Sequence, residues 1–399
     1  MKNTLLNNFI RYVKIDTMSD ENTGTTPSTE KQFNLAKLLV DELLKLGLKD
    51  ISLSENCFVY ATLPANIETN ESIGFVAHMD TIPGFSGTNV NPQIYENFDG
   101  NDIALNGISI TSEQFPFLPT LKGKTLITTD GTTVLGADDK AGVAEIMTML
   151  WYYQKTKAPH VNIHVAFTPD EEIGSGIEHF DLSKFKCDYA FTVDGGRFNE
   201  INYENFNAAS AHVIIKGLDI HPGDAKDKML NASLIAMEFN ELLPTCRPEN
   251  TEMYEGFIHL TDMNGVVGES NLYYIIRDHD LTKLNHKKKA FELAKVAINN
   301  KYGNNTCEVI LKDSYFNMAE LIKKDPRCID KAINAMKALN IEAVTSPIRG
   351  GTDGARLTYM GLNTPNLGTG GYNCHGPYEF ACLEEMETVT KILIEIVKG

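Results

Sequence analysis

No apolar run in this chain approaches the roughly 18–20 residues that a bilayer-crossing helix needs. The first residues, MKNTLLNNFIRYVKIDT, lack the long apolar core and small-residue cleavage site of a secretory signal. They read instead as an amphipathic helix with Leu5, Phe9, Ile10 and Val13 on one stripe. Basic charge is also short: 36 Lys and Arg stand against 53 Asp and Glu, a formal net charge of −17. Such a surface repels phosphate backbones, which argues against a nucleic-acid partner. The seven cysteines are scattered and odd in number, so they do not read as a disulfide framework. A soluble, cytoplasmic protein with no membrane partner is the expectation. There is no internal repeat. With 42% hydrophobic and 22% charged residues the composition is that of a globular chain. Its 399 residues suggest two to three domains.

The first half alternates strands and helices. A helix is expected from about Thr29 to Leu46, capped by Ser28 and closed near Gly47. SIGFVAHMD (Ser72 to Asp80), NIHVAFTPDEE (Asn162 to Glu172) and DYAFTVDGG (Asp188 to Gly196) read as buried parallel strands with polar exits. A helix follows GADD, from Lys140 to about Gln154. The polar stretch from Thr81 to about Leu135 is long enough to be functional or a small inserted structure. This rhythm predicts an α/β domain with a mainly parallel sheet. From about Ala208 the order becomes β-α-β-β-α-β, the ferredoxin-like pattern. The α/β rhythm then returns, with a helix near Pro326–Leu339, a strand IEAVTSP, a loop IRGGTDGAR and a last helix from Leu383. The expected division is 1–207 and 319–399 for a catalytic domain and 208–318 for an inserted α+β lid domain. Two crossings between the domains imply a hinge.

The unusual polar residues gather at strand exits, where open α/β sheets bind ligands. His78 and Asp80 lie two apart, so their side chains share one side, and a carboxylate beside a His is the usual way to orient a metal ligand. The bland alternative is a polar strand end. GADDKAG carries Asp138 and Asp139, with Asp130 just before them, more acid than helix capping needs. TPDEEIG carries Glu171 and Glu172, whose side chains point apart: one can hold a metal while the other handles a proton, unless this is only a solvated acidic turn. TVDGG places Asp194 at another strand end, and GTGGYNCHG places His375 on a glycine-rich loop. Nitrogen and oxygen donors without a thiolate set suit zinc, or less specifically manganese or cobalt. Cys374 beside His375 is one cysteine and reads as incidental.

HMD, GADDKAG, TPDEEIG, TVDGG, IRGGTDG and GYNCHG, with shorter matches NVNPQI, ENFNAAS, HPGDAK and YIIRD, together resemble the peptidase T family of tripeptide aminopeptidases, within the co-catalytic dizinc peptidase and deacylase superfamily. The resemblance runs in order along nearly the whole chain. It implies a zinc-peptidase-like catalytic domain. It also implies two zinc ions per subunit: one held by His78 and Asp194, the other by Glu172 and His375, with Asp138 bridging. By the same resemblance Asp80 orients His78, Glu171 is the general base, and the peptide bond between Asp138 and Asp139 is cis. His221 in HPGDAK would stabilise the oxyanion, often across a homodimer formed through the lid.

Arg277, Arg349 and the GGTDG backbone are candidates for a peptide carboxylate, because Arg binds carboxylate bidentately, though either Arg suits a structural ion pair. Asp353 is a candidate for a substrate amine or a brace for its loop, and Asp139 is a spare acid near by. A dipeptidase, carboxypeptidase or amide deacylase on the same fold would share the water chemistry. A metal-binding protein without activity would need no Glu171.

Overall fold

The computed structural model describes all residues, Met1–Gly399. It divides into two compact units: Met1–Tyr203, Glu320–Ser346 and Thr352–Gly399 form the first, Glu204–Ala319 and Pro347–Gly351 the second. No helix is long and apolar enough to cross a membrane.

The first unit is built on a seven-stranded sheet in the order Lys49–Leu53, Val59–Leu63, Asn162–Thr168, Ser72–His78, Tyr189–Gly195, Asn366–Gly368, Ile201–Asn202. The four inner strands from Asn162–Thr168 to Asn366–Gly368 run parallel; the outer pairings are antiparallel. The inner strands are covered on both faces, which is why they read as near-continuous apolar runs: Ile73, Phe75 and Val165 to Phe167 are buried. Gly74 interrupts one run because a Cβ there would lie 2.6 Å from the Phe185 ring.

Helix Ala137–Thr156 packs on Ser72–His78 and Tyr189–Gly195 and is itself covered by helices Lys2–Val13 and Leu383–Val397. Its Glu145 is fully buried, and neither carboxylate oxygen has a hydrogen-bond partner. Burial alone pushes this carboxyl well above its ordinary value. The sign follows: the folded state keeps a proton that the unfolded state releases above about pH 4.3, so Glu145 costs stability as pH rises from there toward its folded pKa. Glu145→Met removes two unmet acceptors and is expected to gain about 1–3 kcal/mol at pH 7. Thermal melts from pH 5 to 8 check this. A variant with the wild-type pH slope and an unraised melting temperature would contradict it.

The stretch after Thr81 folds as a small β structure. Gln93–Tyr95 and Leu126–Thr128 join the late strands Phe380–Cys382 and Gly371–Tyr372 in a second sheet. Its own core includes Phe98, Ile110, Leu118 and Phe380, with Phe117 stacked 5.0 Å from Tyr372.

Three local expectations differ from the structure. The second helix spans Gln32–Leu46 without a side-chain cap. Ser28 lies outside it because its backbone N–H and hydroxyl are taken by Asp170, at 2.7 and 2.6 Å. IEAVTSP, expected as a strand, makes only an isolated bridge between Val344 and Glu200; the strand beside Tyr189–Gly195 is Asn366–Gly368. Residues 347–351 group with the second unit, where Ile348 N–H donates to the Glu204 carbonyl and the Ile348 carbonyl faces His279.

The second unit carries strands Asn207–Lys216, Phe257–Gly265, Glu269–Asp278 and Cys307–Tyr315 and helices Ala232–Glu241 and Leu281–Tyr302. The sheet is antiparallel in the order second, third, first, fourth, which is the ferredoxin-like topology. Its core alternates along the strands, with Ala209, Ala211, Val213 and Ile215 against Ile235, Phe239 and Phe291 from the helices.

Candidate metal centre and active site

The carboxyl ends of the parallel strands converge in the first unit. His78 ends its strand, fully buried, and its Nε2 lies 2.8 Å from Asp138 Oδ1 and 3.6 Å from Asp194 Oδ1. Its Nδ1 faces Asp80, 3.1 Å from the backbone carbonyl and 3.3 Å from Oδ1. That contact fixes the ring and leaves Nε2 for the cluster. His375 Nε2 lies 3.2 Å from Asp138 Oδ2 and 3.0 Å from Glu172 Oε2. Asp138 therefore turns one oxygen to each imidazole. The ligand atoms of His78, Asp138 and Glu172 fall within 4.8 Å of one another, as do those of His78, Asp139 and Asp194.

Asp139 is otherwise engaged. Its Oδ2 accepts the His78 N–H at 3.2 Å and its Oδ1 accepts the Gly142 N–H at 3.2 Å. The two aspartates thus divide the work within one motif. Asp138 faces the cluster and Asp139 ties the motif to the strand end. The peptide bond between them is cis. Gly142 closes the motif because helix and strand meet backbone to backbone: a Cβ there would sit 1.8 Å from the Val193 carbonyl oxygen and 2.6 Å from Asp139 Oδ1. Gly142→Ala is expected to abolish soluble folded protein or cost several kcal/mol, since overpacking alone costs about 1–3 kcal/mol. Yield and melting temperature test this, and a variant as stable as wild type would refute the contact.

Asp80 has a second task. Its Oδ1 and Oδ2 accept the backbone N–H groups of Glu171 and Glu172, at 3.0 and 3.3 Å. The turn is braced from behind by Asp170, which takes a positive φ of 60° and accepts from Ser28 and from Gln32 Nε2 at 2.6 Å. Asp353 is buried at the first position of helix Asp353–Tyr359, its Oδ2 accepting from the Thr168 hydroxyl at 2.9 Å.

The electrostatics describe a crowd of acids. Burial works against the charge on Asp138, yet hydrogen bonds from His375 and His78 hold its carboxyl well below the usual range. Burial, with His78 opposing, leaves Asp194 up at about 6, and burial pushes Glu172 and Asp353 up to about 7. Burial first, then the Asp194 charge, drives Glu171 well above its ordinary value. Hydrogen bonds to Asp138 and Glu172 raise His375 to about 10. Three carboxylates and two imidazoles packed this closely call for positive charge. Nitrogen and oxygen donors of this kind, with one carboxylate spanning two halves, fit a pair of divalent cations.

The remaining candidates lie in the second unit. His221 is exposed ahead of a short 3₁₀ turn, its Nδ1 accepting the Gly223 N–H at 3.2 Å. That bond puts the proton of the neutral ring on Nε2. Arg277 donates to the carbonyls of Ala209 and Ile276, both at 3.1 Å, and stacks on Tyr315. Arg349 donates to the carbonyls of Met253, Glu255 and Thr251 and to the Thr251 hydroxyl, and lies over Phe206. Its partners are carbonyls in place of the structural ion pair weighed from sequence, and its guanidinium braces the 251–255 turn. Asp130, in the first unit, holds its own turn, its Oδ1 accepting the Thr132 N–H and hydroxyl.

Sequence reading missed Glu379. It is 1% exposed, and its carboxylate accepts three backbone N–H groups: Leu135 at 2.7 Å, Gly136 at 2.8 Å and Asp138 at 3.1 Å. A glutamate four residues after a candidate ligand His was its only signal.

Sheet and donor set together fit a metal-dependent hydrolase of the α/β type, and comparison with known proteins makes the class a metallopeptidase. The pattern of the peptidase family M20/M25/M40 matches residues 129–399, and the chain belongs to that family. Within it the chain falls in the peptidase T branch: it is 52% identical over 396 residues to "Peptidase T" of Caldanaerobacter subterraneus, covering 98% of this chain and 97% of the relative. The fold matches a tripeptidase from Staphylococcus aureus with a TM-score of 0.81 at 21% identity, covering 100% of this chain and 98% of the other. It also matches a dinuclear metal binding peptidase of the M20 family from Bacillus subtilis, with a TM-score of 0.65 at 14% identity over 99% and 97% of the two chains.

Proposed function

We propose that this enzyme removes the N-terminal residue from tripeptides at a pair of divalent cations, zinc being the ion that best suits the donors, with manganese or cobalt as substitutes. The observation that carries the reading is the Asp138 carboxylate, one oxygen toward His78 and one toward His375. His78 and Asp194 would hold one cation, Glu172 and His375 the other, and Asp138 both. The names of the relatives, peptidase T and tripeptidase, support the substrate class.

When bound, the cations supply Lewis acidity for the scissile carbonyl and bring the pKa of a water toward about 7. Glu171 takes the proton of the attacking water. Burial raises its carboxyl above the ordinary value, and the same group returns the proton to the leaving amine. Asp80 holds the Glu171 N–H and the His78 ring, so base and ligand are set by one side chain. His221 donates Nε2–H to the oxyanion. Asp353, with one oxygen outside its Thr168 bond, takes the substrate amine. Arg277, which bonds the Ala209 and Ile276 carbonyls through Nη1, takes the substrate carboxylate. Arg349 holds the 251–255 turn and acts on the carboxylate only through it. A cytoplasmic location and a homodimer formed through the second unit belong to the same proposal.

A matched series tests the reading. The zinc-loaded enzyme is expected to cleave a free-amine tripeptide at its first bond, and to leave the dipeptide and the N-acetylated tripeptide intact. Cleavage of the acetylated peptide would move the chain to carboxypeptidase or deacylase chemistry. Zinc binding without turnover of any member would reduce it to a metal-binding protein.

A further inference from the structure

We infer that Glu379 is a positioning residue that sets the distance between the two loops carrying Asp138 and His375, and so the geometry of the cation pair. This rests on the dinuclear reading above.

The segment Leu135–Asp138 brings Asp138 to the cluster at the start of a helix that has no side-chain cap of its own, its N-cap Gly136 being in the left-handed region. The donors at such a helix start need acceptors. Glu379 supplies them from the other end of the sequence: Oε2 takes the N–H groups of Leu135 and Gly136, and Oε1 takes that of Asp138 itself. Glu379 also closes the loop that presents His375. Gly371–Tyr372 and Phe380–Cys382 pair as a hairpin, with Gly371 opposite Ala381 and Tyr372 opposite Phe380, and the Glu379 N–H returns to the Gly376 carbonyl at 3.3 Å. One buried side chain thus joins the backbone of one candidate ligand to the loop of another. Glu379 itself is not a ligand in this proposal: both of its oxygens are turned to backbone N–H groups.

Glu379→Gln tests the inference. The amide has one acceptor oxygen, so its NH2 must face either the Asp138 N–H or the Leu135 and Gly136 pair, and the loop is released on that side. Glu379→Asp keeps the charge but is a methylene shorter, and it serves as the second variant should the first fail to fold. Three readouts are compared with wild type: zinc bound per chain by equilibrium dialysis, the visible absorption of the cobalt-loaded protein, and the thermal melt. The expected result is two ions in wild type, and in either variant about 10–100-fold weaker binding of at least one ion with a changed cobalt spectrum. A variant that melts earlier but binds both ions as wild type does, with the same spectrum, would make Glu379 a stability residue and overturn the inference. Wild type binding fewer than two ions would sink the dinuclear reading, and the role of Glu379 would fall with it.

Discussion

Glu171→Gln lowers kcat on a tripeptide by about 10²–10⁴-fold, the share that a positioned general base supplies. Two features of the site make this expectation specific. The Glu171 carboxyl has no part in the carboxylate–imidazole contacts that join Asp138, Glu172, His78 and His375, so its loss leaves the donors in place. Its backbone N–H is held by Asp80, so the substitution keeps the turn that carries Glu172. The variant should therefore bind the same number of ions as wild type and show nearly the same KM, because substrate contacts persist while the transition state loses its proton acceptor. Steady-state kinetics with metal analysis on the same sample checks both. A drop under tenfold would remove Glu171 from the role. A large drop accompanied by lost metal would make it a ligand instead of a base.

The contrast between Glu171 and Glu379 shows what was legible in the sequence. His78, Asp138, Glu172, Asp194 and His375 follow or end apolar strands or sit in glycine-rich turns, and a polar residue at such a place stands out against a buried parallel strand. Glu379 sits in PYEF and serves only backbone donors, a task with no sequence pattern. Asp170, in TPDEE, is hidden for the same reason: it is buried and held by Ser28 and Gln32 from a remote helix start. The same contact explains why Ser28, which reads as a helix cap, does not cap the helix. Both are long-range partnerships with separations above a hundred residues, which local periodicity cannot register.

Fold errors share that cause. IEAVTSP has the β-branched content of a strand, but only Val344 finds a bridge partner, while three residues of a glycine-rich stretch, Asn366–Gly368, enter the sheet. Strand identity there is decided by what Tyr189–Gly195 accepts as a neighbour. Arg349 follows the same rule. Its loop reads as part of the α/β half, and its guanidinium is claimed by carbonyls around Thr251.

Asp138→Asn separates binding from chemistry in the opposite sense to Glu171→Gln. Asparagine matches aspartate in shape, so the three backbone bonds that Glu379 makes in this loop can persist. Its side chain, however, offers one acceptor oxygen and an NH2, and carries no charge. Asp138 uses both oxygens, one toward each imidazole, so one half of the cluster must now face an NH2 group. That half loses its shared ligand, and the other keeps a neutral donor where it had a carboxylate. The expected outcome is fewer than two ions per chain and tripeptide hydrolysis at the level of a blank. Stability gives an independent reading. An ion held at a concentration 100 times its Kd adds about 2.7 kcal/mol to the folded state. Wild type and Glu171→Gln should therefore rise together in melting temperature when zinc is added, and Asp138→Asn should rise by clearly less. If Asp138→Asn keeps two ions and the full thermal gain, the bridge does not lie at Asp138, and Asp139, whose oxygens also approach His78 and Asp194, becomes the residue to replace next. If it loses the ions and keeps the fold, the two variants together assign one acidic side chain to holding the cations and another to moving the proton.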